Sequence, residues 1–594
     1  MAPPTVKAAP NFHEKHPERI EHWKRIVRTD PARAVHVLGL SYTGPNEDNS
    51  TTPKGDSALD GLYILPQLRD LAANSKSSTW RALVDAGVIT ALCKCALNFQ
   101  AAIMHKDGHA PSTTESDDVE KNMPSPYHVP LDILCQASIS CALPPTTTEK
   151  KMVSEIKKHW SSIVQRVWSE PSRSLESEPK KVRLLERIVI PQLFVRLTLI
   201  DPSILDIIFK PIDLTLAVVF RYWLYSDERI DTRMTLGILV PLIENEPHTH
   251  WQAHLASHPA PPTHQLLPKF FLGASKVAGS DKKKRTAGQT ADVVVKAFAT
   301  HLELLPVQDL QLDYDFFHSL FHHCQEHNRA FNKAVYRSRE FWAANVSVLR
   351  RTARHPGPEK VPLYMSALTT FSSMPHTVSE DGKEAIDALM RSWFESGLMD
   401  ALEETIASFL GAPRGPMILT GILAAVDRFL PDLTPKTLAL LRAQLPRPKL
   451  VKSLIAACMT PGNNDGEQSN VKKDYASLVS HDPATNEDNQ MWIHGAWQIL
   501  ATIEHKVEQV GDCSRRSCEV KRVDLEEGEL RCEMCKWARY CSDDCLTGDI
   551  FEHSQICGWV PVIQQVLTDS GLGGSAGGGG GGGEGGESKI EDVD

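Results

Sequence analysis

Alternating β-branched runs bounded by turns hardly occur in this 594-residue chain, which argues against a body built of sheets. Nor does any stretch approach the ~20 apolar residues of a membrane span. The greasiest region, Ile188 to Tyr225, is broken by Arg196, Asp201, Asp206, Lys210, Asp213 and Arg221 and by Pro191, Pro202 and Pro211. Met1 to Pro10 lacks the continuous apolar core of a secretory signal. The expected compartment is therefore cytoplasmic or nuclear, where structural disulfides are rare. A basic excess is missing too. The net charge is −10 and the pI about 6.2, so no whole-chain attraction to nucleic acid or to an anionic membrane is expected. No Gly-Lys-Ser/Thr phosphate loop and no Gly-x-Ser-x-Gly elbow is present. Glycine is scarce outside one run: twelve of the 35 lie between Gly571 and Gly586.

What is there is ordinary for a globular protein, with 41% apolar and 23% charged residues, which rules out global disorder. The dominant period from about His16 to Val510 is helical. Ile64, Leu68 and Leu71 form one apolar stripe, with Pro66 tolerable in a first turn. Val294, Phe298, Leu302 and Leu305 form a second, and Trp492, Ile499, Ile503 and Val507 a third that leads to a cysteine cluster. The predicted fold class is mostly α.

The segment Leu83 to Leu92 matches Trp393 to Leu402 in residue type, each with a central glycine, Gly87 or Gly397. This resembles the helix–Gly–helix junction of armadillo-type repeats and implies an armadillo- or HEAT-like solenoid body; two unrelated antiparallel helix pairs fit the segments equally well. Four segments read as loops: Lys106 to Pro130, Gly273 to Gln289, Thr460 to Asn489 and Ser570 to Asp594. The expected organisation is a helical body over 1–459, a polar linker over 460–489 and a helix over 490–510. A cysteine-rich module over 511–557, a short helix over 558–569 and a disordered Gly-rich acidic tail over 570–594 follow.

Seven of the 13 cysteines fall in one spaced array with a histidine: Cys513-x4-Cys518-x13-Cys532-x2-Cys535-x5-Cys541-x3-Cys545-x7-His553-x3-Cys557. Eight soft or borderline ligands in pairs suit two tetrahedral Zn²⁺ ions. Cys541 and Cys545 would start a helix near Ser542, and His553 and Cys557 could share a helix face. A segment so small and polar would draw its folding energy from metal.

The order of six cysteines, a histidine and a last cysteine, with Ala538-Arg539-Tyr540-Cys541-Ser542-Asp543-Asp544-Cys545 and then Asp549, closely resembles the MYND finger. That resemblance implies interleaved ligand sets, Cys513, Cys518, Cys541 and Cys545 on one ion and Cys532, Cys535, His553 and Cys557 on the other. The sequence departs from the family in its first spacing, four residues where two is usual, and in a long x13 gap. Leu546 and Ile550 stand where the family usually has Gln and Trp, residues that help MYND fingers dock proline-rich peptides. Weak binding of such peptides follows, with Phe551 or Trp537 as alternative apolar contacts. Gly511 to Cys557 carries seven basic and eleven acidic residues. With seven thiolates and two Zn²⁺ its charge is roughly −7, which would repel phosphates. A protein partner is expected, and the oligomeric state is open.

MYND fingers also occur in SET-type methyltransferases, but only 37 residues follow Cys557 and no Asn-His-Ser-Cys motif is present. His318, His322, His323 and His327 share one predicted helix among phenylalanines, which favours a core-edge helix over a metal site. Lys282-Lys283-Lys284-Arg285 fits a solvated basic loop or a nuclear import signal. The expected function is a zinc-dependent protein–protein interaction adaptor rather than an enzyme. The alternative is an enzyme whose unrecognised active site lies in the helical body, the finger then being structural or recruiting.

Overall fold

The computed structural model describes residues 17–43, 60–103, 125, 127–170, 175, 180–244, 246–275, 284–355, 360–412, 414–458, 483–507, 513–516, 518 and 530–569. Nearly all of them are helical, as expected. Among the described residues the only strands are β1 (Leu530–Arg531) and β2 (Arg539–Tyr540), an antiparallel pair with Leu530 opposite Tyr540. The tail over 570–594, residues 460–482 of the expected linker, most of Lys106 to Pro130, and Lys282 with Lys283 lie outside the described residues. No helix among the described residues is long and apolar enough to cross a membrane.

The chain divides into two compact units, Met1–Ser366 and Ala367–Asp594. In the first, packing passes from helix to near neighbour. Pro31–Thr43 packs on Val88–Ile103, which packs on Thr147–Ser169, which touches Thr215–Leu224, which packs on Thr263–Ser275. The stripe on Ala287–Leu304 behaves as its spacing predicts: Val294, Phe298 and Leu302 are buried, and Thr286 with Gln289 closes a reciprocal cap at its start. Pro66 is not in a first turn. Its helix, Gly61–Ala72, begins five residues earlier, and burial of Tyr63, Ile64, Leu65 and Leu68 outweighs the backbone bond the proline removes. Gly273 is not in a loop either. It lies in the last turn of the Thr263–Ser275 helix at a close approach to Thr215–Leu224, where a Cβ would sit 2.6 Å from the Ala217 carbonyl oxygen.

Both junction glycines adopt backbone that favours glycine, Gly87 with φ +95° and Gly397 with φ +75°, and a helix starts directly after each.

In the second unit the helices Leu398–Gly411, Gly415–Phe429, Pro448–Cys458 and Pro483–Val507 pack together. The last of these begins inside the expected linker. It buries Ile493, Ala496, Trp497, Leu500, Ala501 and Ile503, while Trp492, Ile499 and Val507 are only partly covered. The buried face is thus turned from the expected stripe. The Thr420 hydroxyl donates to the Trp492 carbonyl at 2.7 Å and ties this helix to Gly415–Phe429.

Candidate metal centre

The cysteine-rich segment is a small finger on the second unit. Cys513 and Cys518 bracket a short loop strapped to β2: the Ser514 N–H donates to the Arg539 carbonyl at 2.7 Å, and the Arg539 N–H to Ser514 Oγ at 3.0 Å. Cys532 and Cys535 follow β1 in a tight turn, closed by the Lys536 N–H on the Cys532 carbonyl at 2.9 Å. Lys536 itself has φ +58°. After β2 comes Cys541, and then Ser542 caps the helix Asp543–His553 by accepting the Cys545 N–H at 3.2 Å. That helix start is where the spacing predicts it. His553 and Cys557, however, do not share a helix. The helix ends at His553, and a turn intervenes that brings Cys557 beside Cys532.

Eight ligand atoms converge in two groups of four, each within 4.8 Å of one another: Cys513, Cys518, Cys541 and Cys545, and Cys532, Cys535, His553 and Cys557. Each group could hold a metal ion. The separations fit one. Cys518 and Cys541 sulfurs lie 3.5 Å apart, Cys541 and Cys545 3.5 Å, and Cys532 and Cys557 3.6 Å, while Cys535 Sγ is 3.4 Å from His553 Nε2. A tetrahedral ion with ~2.3 Å bonds to sulfur and ~2.0 Å to nitrogen needs edges of about 3.8 and 3.5 Å. Among the described residues no other cluster of three or more such ligands comes together.

The thiols are not alike: burial, with hydrogen bonds from neighbouring cysteines, pushes Cys541 and Cys557 up to about 12. Burial raises the Cys545 thiol, yet Ser542, Cys541, Cys518 and Arg515 outweigh it and bring it down to about 7. Burial lowers His553, which keeps its imidazole neutral for a cation. Tyr540 on β2 donates to Asp549 Oδ2 at 2.9 Å and ties the strand to the helix.

Two arginines in the first pair's loop were not singled out by sequence reasoning. Arg515 Nη1 donates to the Asp544 carbonyl at 3.1 Å and lies 4.0 Å from Cys545 Sγ. Its guanidinium covers Gly548, where a Cβ would stand 2.7 Å from Cζ. Arg516 Nη2 donates to Glu552 at 2.7 Å, and Nη1 lies 3.6 Å from Glu403 on the Leu398–Gly411 helix. The signal for both was the widened Cys513-x4-Cys518 spacing.

Of the alternative docking residues, Phe551 is 83% exposed and Ile550 55%, whereas Leu546 packs against the finger's core. Trp537 lines a cavity of about 130 Å³ between finger and helices, with Leu445, Pro448, Val451, Ala501 and Ile563.

Two further constellations are structural in character. His318, His322, His323 and His327 do lie on one helix, Gln311–His327, but their nitrogens do not gather. Burial pushes His318 down to about 4. Elsewhere in the first unit, Ser226 Oγ is 3.0 Å from His301 Nε2, and His301 Nδ1 is 2.8 Å from Asp313 Oδ1. This is the order of a nucleophilic triad. All three are at most 3% exposed, and the Ser226 hydroxyl also donates to the Trp223 carbonyl and accepts from Thr232. The relay joins helices, and a substrate has no route to it without their separation.

No protein-family model matches the chain, and neither a curated protein nor a solved structure matches it.

Proposed function

We propose that this protein is a zinc-dependent protein–protein interaction adaptor, with a MYND-type finger carried on an armadillo- or HEAT-like helical body. The observation that carries the reading is the pairing of the eight ligands. Their sets interleave as the MYND resemblance implies, and the sulfur-rich, tetrahedral donor sets suit Zn²⁺ better than a hard cation. Cys513, Cys518, Cys541 and Cys545 would hold one ion; Cys532, Cys535, His553 and Cys557 would hold the other. Bound zinc would supply rigidity and no reaction. Near-neighbour helix packing supports a repeat-like body, and the exposed Phe551 and Ile550 support an outward docking face.

The test is affinity capture with the full-length protein beside its Cys541→Ser form, together with elemental analysis. Two zinc ions per chain and a set of protein partners lost with Cys541→Ser are expected. A metal-free preparation that folds and binds the same partners would refute the reading.

A further inference from the structure

We propose that the widened Cys513–Cys518 loop is a metal-dependent clasp: Arg516 fastens the finger to the Leu398–Gly411 helix, so that metal at the first ligand set and the fold around Glu403 stabilise one another. This rests on the reading of the two ligand sets as metal sites.

Two arginines, Arg515 and Arg516, lie between the ligands of the first pair. They point different ways. Arg515 folds inward onto the Asp544 carbonyl and Gly548 and braces the loop against its own finger. Arg516 reaches outward to where three parts of the unit meet: its own loop, Glu552 beside the second-set ligand His553, and Glu403 of the helical part. Glu403 is 10% exposed at its side chain and faces two guanidinium groups, Arg516 at 3.6 Å and Arg447 at 3.7 Å. Arg447 is 1% exposed, also pairs with Asp400, and gives its backbone N–H to Glu504 on the Pro483–Val507 helix at 2.7 Å. A carboxylate so covered is costly to leave with one partner fewer.

Other fastenings run alongside. Lys452 Nζ donates to Gln555 at 2.7 Å, the Pro448–Cys458 helix touches Asp543–His553, and Val560–Asp569 packs on Pro483–Val507. The geometry of Arg516 depends on the loop, which Ser514 straps to β2 at one end, and an ion gripped by both Cys513 and Cys518 would fix its two ends to one another. Without it, the side chain and its loop must be ordered at an entropic cost before the Glu403 pair can form. Coupling of this kind is reciprocal: whatever metal does for the Glu403 contact, the Glu403 contact does for metal affinity.

The experiment uses the full-length, zinc-loaded chain and a competing chromogenic chelator. Glu403→Gln lies outside the finger and touches no ligand, yet it should weaken retention of zinc by at least about fivefold, the lower range of coupling between linked sites. Arg516→Met should do the same, and the double variant should be no worse than the poorer single one. Zinc removal from the unaltered protein should also speed amide exchange in Leu398–Gly411. Unchanged retention in both single variants, or exchange in that helix indifferent to zinc, overturns the clasp. Should Glu403→Gln fail to fold, the partly exposed Arg516→Met carries the comparison. A chain that takes up no zinc overturns the metal reading and the clasp together; two ions held with unaltered affinity in the variants overturn the clasp alone.

Discussion

Phe551→Ala separates a docking role for the finger from a packing role. The side chain is 83% exposed, so the fold gains little from it and its truncation should change stability by no more than about 0.5 kcal/mol. In an interface the same exposure becomes an asset. A phenylalanine covered by a partner removes on the order of 150 Å² from water, a gross gain near 4 kcal/mol at ~25 cal/mol per Å². Part of it is lost to ordering, and an anchor of this kind typically shows as ~2 kcal/mol or more, about 30-fold in affinity. The assay is equilibrium binding of the zinc-loaded full-length protein to partners that are lost from Cys541→Ser, with a thermal melt of each variant beside it. Trp537→Ala is the contrast. Trp537 lines the cavity between finger and helices, so its loss should lower the melting temperature of the second unit. Partner affinity unchanged in Phe551→Ala would refute the assignment of the outward face as the docking surface.

Three other outcomes are expected. Ile550→Trp, at a half-exposed position, should raise affinity for short proline-rich peptides in a fluorescence titration; Leu546→Gln should not be combined with it, because Leu546 packs on the finger's core and the polar side chain would cost stability. His318 titrates near 4 when folded and near 6.5 when unfolded, so it stabilises the fold above 6.5 and that stabilisation is lost as pH falls toward 4, by about 3 kcal/mol in all; denaturant titrations from pH 7 to 4.5 should show a shallower acid loss in His318→Phe than in the unaltered chain. Asp313→Ala strips the acceptor from the buried His301 Nδ1 and should cost about 2 kcal/mol, read from urea unfolding followed by circular dichroism.

The parts of this structure legible in the sequence are those set by local chemistry. Gly87 and Gly397 announced their junctions because a left-handed residue between helices excludes most side chains. The two convergent Cys/His groups announced themselves because thiolate pairs must arrive in close turns, and Ser542 marked a helix start by its hydroxyl. Contacts between distant segments were silent. Nothing near Glu403 or Arg516 in the chain links one to the other, and the pair exists through tertiary packing, of Pro448–Cys458 on the finger helix and of Val560–Asp569 on Pro483–Val507. The Pro483–Val507 face was misjudged for a related reason. Large apolar residues suggest a stripe, but the buried face is set by contact with the distant Gly415–Phe429 helix, whose Thr420 hydroxyl holds the Trp492 carbonyl. The expected His553–Cys557 helix pair failed because the helix ends at His553 and a turn carries the chain on to Cys557.

The finger's buried core consists of Cys513, Cys518, Ala538, Tyr540 and Cys545. Three of these five are proposed ligands, which leaves one alanine and one tyrosine, with the partly buried Leu530 and Leu546 against them, to hold the module by ordinary burial. Even the tyrosine needs its hydroxyl satisfied by Asp549. Burial on that scale cannot offset the conformational entropy of some forty residues. Metal would make up part of the difference, and the helices of the second unit the rest, through Arg516, Lys452 and the apolar seam around Trp537. That division of labour explains why a phenylalanine can stand outside. A free-standing finger would gain by folding Phe551 into so thin a core; one braced from behind by helices can leave it in solvent, where it is available to a second protein.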